Sequence, residues 1–167
     1  MKKSILFFVI GSLTSGAAFA QSGSATVSHL QSSFHNSSSR MESFIHLTNT
    51  SETDTEVTIK IYNQSGNVVS DVDNDNNTGL LRASNISNYS DVNSSYSVKF
   101  TIAPKHSTRV SLMNPSTAEI LGYAVIEWRK ESTTEVVNTS LIGHAINYRI
   151  YNGTGYYSVP INDGRKF

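Results

Sequence analysis

The sequence predicts an all-β fold: a single antiparallel β-sandwich of about eight strands, immunoglobulin-like in its pattern. Three observations carry this. Short segments alternate apolar and polar residues with period two, as in Val57, Ile59 and Ile61 against Thr58, Lys60 and Tyr62. Turn-forming residues separate these segments at short intervals. After position 20, apolar residues nowhere recur at helical spacing over three turns.

The first twenty residues read as a signal peptide and stand outside the fold. Lys2 and Lys3 give a positive start, Phe7, Phe8, Val9 and Ile10 lie in an apolar run, and Ala18-Phe19-Ala20 fits the small-x-small cleavage rule. That run is shorter than the roughly 20 residues a spanning helix needs. Removing 20 of the 167 residues leaves 147, enough for one domain with its own core. The expected location is the periplasm or exterior of a Gram-negative bacterium.

Composition narrows the partners. Without cysteine, disulfides and an acylated N-terminal cysteine are both excluded. The chain has 13 basic and 13 acidic residues; removing Lys2 and Lys3 leaves 11 against 13. So weak a balance offers no field to nucleic acid or an anionic membrane.

The elements follow in order. Residues 21–42 read as a weakly ordered N-terminal arm or a first strand, because Val27, Leu30 and Phe34 are the only large apolar residues up to Ser39. The sandwich is expected over residues 43–167. Residues 43–48 form a short strand and 56–62 an alternating one. Residues 63–67 turn the chain, with Gly66 free to take positive φ, and Val68 and Val69 begin a return strand. A short strand is expected at 80–83, and 85–95 reads as a polar connection. Tyr96, Val98, Phe100 and Ile102 alternate up to Pro104, and Thr108, Val110 and Leu112 follow. Residues 116–121 allow one helical turn at most.

Residues 122–128, Gly-Tyr-Ala-Val-Ile-Glu-Trp, are the densest β-forming run after the N-terminus and hold the only tryptophan. With residues 140–150 they read as one long central hairpin. Ala124, Ile126 and Trp128 are expected to face the core, since Glu127 on the other face is a poor candidate for burial. On the second strand, Ile142, His144 and Ile146 are the bulkier set and are expected opposite them. Residues 156–161 supply the last strand.

No motif with a mechanism stands out. Asp71, Asp73 and Asp75 have the alternate spacing of a calcium loop, but Asn76 replaces the glycine and Arg82 the bidentate glutamate. A solvated loop is the simpler reading, and no other cofactor is expected. His29, His35, His46, His106 and His144 are scattered, without the close pairing of a zinc site. His144 with Glu127 is the one conceivable acid–base pair across the hairpin. Trp128, Tyr156 and Tyr157 are the candidate binding residues, because aromatic rings offer large apolar area with polar tips.

A resemblance adds to this. Leu47-Thr48-Asn49, the 57–62 strand, Pro104 followed by Ser107-Thr108-Arg109-Val110, and Tyr123-Ala124-Val125-Ile126 resemble small bacterial β-sandwich proteins of the sensory rhodopsin transducer type. The Ser158-Val159-Pro160-Ile161-Asn162-Asp163-Gly164 segment is similar to the ends of uncharacterised secreted bacterial proteins. The resemblance implies a transducer-like β-sandwich and carries no catalytic signature. The transducer proteins are cytoplasmic, so the export signal separates this chain from a transducer role.

The expectation is therefore a non-enzymatic exported sandwich that binds a protein or glycan partner, or assembles, at the bacterial envelope. Two alternatives stand beside it: a small outer-membrane β-barrel, and an enzyme with a loop-borne active site.

Overall fold

The computed structural model describes residues 21–69, 81–92, 97–114, 118–130, 141–151 and 153–167. Residues 1–20, read above as a signal peptide, and the expected calcium-loop residues Asp71, Asp73 and Asp75 lie outside them.

The described residues form ten strands: β1 (Gln21–Asn36), β2 (Ser39–Asn49), β3 (Thr55–Asn63), β4 (Leu81–Ser84), β5 (Ser87–Val92), β6 (Ser97–Ile102), β7 (Ser107–Leu112), β8 (Ile120–Lys130), β9 (Leu141–Tyr151) and β10 (Thr154–Pro160). A single 3-10 turn, Asn162–Gly164, follows β10. All pairings are antiparallel, in the order β10-β9-β2-β1-β8-β3-β6-β5, with β7 pairing β2 and β4 off that path. The fold is thus all-β and antiparallel, as the period-two pattern requires. It departs from the expectation in form. The strands make one curled half-barrel of ten strands rather than two clearly separate sheets.

The strand responsible is β1. Its first part pairs with β8, from Gln21 opposite Lys130 to Val27 opposite Ala124. Between Val27 and Leu30 the register shifts by one residue, so Ser28 and His29 both point outward and Leu30 returns to the core. Such a bulge bends a strand and increases its twist. Beyond it, β1 reaches β2, pairing Ser33 with Met41 and Asn36 with Ser39. The β1–β2 turn is closed by the Ser38 N–H, which donates to Asn36 Oδ1 at 2.8 Å.

Where β1 bends, buried polar groups bind across to its neighbours. Ser43 Oγ accepts the Gln31 N–H at 2.8 Å and donates to Asn147 Oδ1. Asn147 Nδ2 donates to the His29 carbonyl at 3.1 Å, and Ser32 Oγ donates to the Leu112 carbonyl at 3.1 Å. These bonds tie the bend to β2, β7 and β9. A buried polar group left unpaired costs more than a made bond gains, so the network specifies the crossing.

The apolar faces meet in one core. Val57, Ile59, Ile61, Val98, Phe100, Ile102, Val110, Leu112, Ala124, Ile126 and Trp128 are buried, on the faces that alternation assigns them. Gly66 has φ +76° in the turn after β3. Val68 returns only as a single bridge to Tyr62, and residues 87–92, read as a connection, form β5 against β6.

The central hairpin is corrected. β8 pairs with β1 and β3, and β9 with β2 and β10, so the two do not pair with each other. The expected face of β9 is also inverted. Leu141, Ala145 and Asn147 are buried, while Ile142 and His144 are exposed. The reason is volume. A Cβ at Gly143 would fall 2.8 Å from a Leu47 methyl and 3.1 Å from one of Ile161, so the small side chains of β9 leave room for larger neighbours.

Candidate functional site

The outer face of β7, β2, β9 and β10 collects the residues best suited to contact a partner. Antiparallel register sets them in rows. Arg109, His46, His144 and Pro160 form one row across the four strands. Phe44 and Ile146 lie in the next, and Glu42, Tyr148 and Tyr156 in the one after. The imidazoles of His46 and His144 stack with centroids 5.0 Å apart and planes 5° from parallel. The Arg109 guanidinium carbon lies 5.4 Å from the centroid of the Phe44 ring. Burial, then the charges of His144 and Arg109, holds the His46 imidazole below its usual range.

β10 forms one edge of this face. Among the described residues it pairs only with β9, and none of its seven residues carries a charge. Tyr156 is 77% exposed and Tyr157 45% exposed, on opposite faces because they are adjacent in a strand. Tyr157 approaches His29 at the β1 bulge, with ring centroids 5.9 Å apart. Burial pushes its phenol above the usual range.

A second concavity, of about 550 Å³, lies on the outer face of β1, β8, β3 and β6. Ser22, Ser24, Thr58, Glu56, Lys99 and Arg129 line it. Glu56 binds Lys99 at 2.9 Å and also Arg129, and Lys60 reaches Glu127 at 3.6 Å. The charges are matched within the sheet, which leaves this face self-satisfied.

The predicted residues are thus distributed. Tyr156 and Tyr157 share the β10 edge. Trp128 sits elsewhere, 3% exposed, with its ring packed over Gly23. Glu127 and His144 are not brought together: Glu127 pairs with Lys60 on one group of strands, and His144 stacks on His46 in another. Among the described residues no group of three or more metal-binding side chains converges.

Sequence reasoning missed the His46–His144 pair. The two are far apart in the chain, and only the β2–β9 register sets them side by side. The available signal was outward alternation in both strands, but pairing β9 with β8 concealed it. No protein-family model, curated protein or solved structure matches this chain.

Proposed function

We propose that this protein is a non-enzymatic exported β-sandwich, its two layers joined by β1, that serves at the bacterial envelope as a binding or assembly module. The β9–β10 side is its contact surface. The observation that carries this reading is the β10 edge: seven residues without a charge, ending the strand order, with Tyr156 almost fully exposed. Edge strands that must stay single are normally blunted by charges or bulges. An uncharged edge with projecting tyrosines suits a protein or glycan partner.

The distribution of polarity favours this over a membrane barrel. A transmembrane barrel turns its apolar band outward. Here Val57, Ile59 and Ile61 are buried, and Lys60 and Glu127 bind each other on the outer face.

A glycan array and a pull-down from envelope extract test the reading, each run with the wild type and with Tyr156→Ser. The expected result is a defined glycan or protein retained by the wild type and lost by the variant. Turnover in a hydrolase panel with no partner found would sink it.

A further inference from the structure

We propose that His46 and His144 form a two-nitrogen site for a late first-row divalent metal ion, copper, nickel or zinc. The spacing of the pair across the two strands suits a chelate. Directly opposed residues on antiparallel strands hold their Cβ atoms roughly 4.5–5.5 Å apart, and the two rings already stand face to face at 5.0 Å. A tetrahedral ion with metal–nitrogen bonds near 2.1 Å needs its two nitrogens roughly 3.4 Å apart. With the planes 5° from parallel, the in-plane nitrogen lone pairs run side by side, so each ring must turn by roughly 50° about its side-chain bonds before both point at one ion, a change of rotamer that moves neither strand.

The nitrogens are also free to bind. Among the described residues neither ring is hydrogen-bonded to the protein, whereas the His106 Nδ1 is engaged by the Pro104 carbonyl at 2.7 Å. The rings open onto a concavity of about 440 Å³ lined by Thr48, Ile142, Gly143, Ser158, Pro160 and Gly164. That space admits the water molecules, or the donor from a partner, that complete the coordination shell.

The ligand set chooses the metal. Imidazole suits copper, nickel and zinc, and no carboxylate lines the concavity for calcium or magnesium. Charge sets the strength. Arg109 lies beside His46 on β7, and the nearest carboxylate on this face of β2, Glu42, is paired with Arg40 at 3.1 Å. An uncompensated guanidinium weakens the binding of a cation, so the site is one of moderate affinity that Arg109 tunes.

Calorimetric titration of the untagged protein with Cu²⁺, Ni²⁺ and Zn²⁺ at neutral pH tests the proposal. One metal equivalent is expected for at least one of the three ions. His46→Gln and His144→Gln should each weaken binding by about tenfold or more, since both remove one arm of a chelate. His106→Gln should leave it unchanged, and Arg109→Gln should tighten it. His46, His144 and Arg109 lie on the outer face of the sheet and His106 in the turn between β6 and β7, and matching melting curves verify that the variants fold. Absence of binding to all three ions, or wild-type affinity in either single variant at the pair, overturns the proposal. Equal loss in His106→Gln does so too, by showing adventitious binding to any surface histidine.

Discussion

Gly23 lies directly across from Trp128, and the indole occupies the space its missing side chain leaves. A Cβ at Gly23 would fall 2.6 Å from the Trp128 Nε1 and 2.8 Å from the adjoining ring carbon. The largest side chain of the core is thus seated by the smallest residue of β1.

Gly23→Ala should destabilise the protein by about 1–3 kcal/mol, the usual effect of overpacking. Gly155→Ala, where an added methyl meets nothing within 4 Å, should stay within roughly 0.5 kcal/mol of the wild type. Urea unfolding followed by the single tryptophan's fluorescence reads both, and equal effects at the two sites would refute the packing argument.

Ile126→Ala should cost about 2–5 kcal/mol through lost burial and the cavity left behind. Val125→Ala, on the partly exposed face of β8, should cost distinctly less. Denaturant midpoints of the two variants at equal slope decide the comparison.

Asn49 is fully buried and ties a corner together. Its Nδ2 donates to the carbonyls of Thr53 at 2.8 Å and Ile102 at 3.0 Å, while its Oδ1 accepts the Ser51 N–H at 3.0 Å. Asn49→Ala leaves these groups without their partner, at about 1–3 kcal/mol for each one that water does not reach. A melting temperature unchanged from the wild type would show that the corner is redundant.

The Glu56 carboxyl is raised by burial, but hydrogen bonds from Lys99 and Arg129 and their charges outweigh this and hold it below the usual glutamate range. Since its folded value lies under its unfolded one, the stabilisation is complete above the ordinary glutamate range and is lost as pH falls through the folded value. Glu56→Gln should therefore be slightly less stable than the wild type at pH 7, by roughly 0–1 kcal/mol for partly exposed pairs. The gap should close in acid. A gap that widens as pH falls would reverse the assignment.

The faces of β3, β6, β7 and β8 were legible because alternation sorts residues regardless of which strand lies alongside. Partners were harder. Neighbouring strands in sequence suggest a hairpin, and residues 122–128 and 140–150 invited one. β2 and β1 lie between them, and the weak pattern of β1 concealed a central strand. Its small Gly23 and Ala25 are inward-facing residues fitted beneath Trp128 and Ile126, Ser22, Ser24 and Ser28 face outward, and Ser32 joins the network at the bend. On β9 bulk does not track burial: Gly143 and Ala145 face inward, and the missing side chain of Gly143 admits Leu47 and Ile161. The histidine pair depended on the long-range register of β2 with β9.

The route of β1 governs how the chain can be made. Its earliest residues find their partners in β8, and β2 finds one of its own in β9, about a hundred positions later. Until the ribosome has released that last third, only the end of β1 has a neighbour, in β2, and the first part of β1 waits for β8 before the interior can be sealed. Pairings of such long range fold slowly. The molecule therefore stays open through most of its synthesis and closes only once β8 and β9 have emerged.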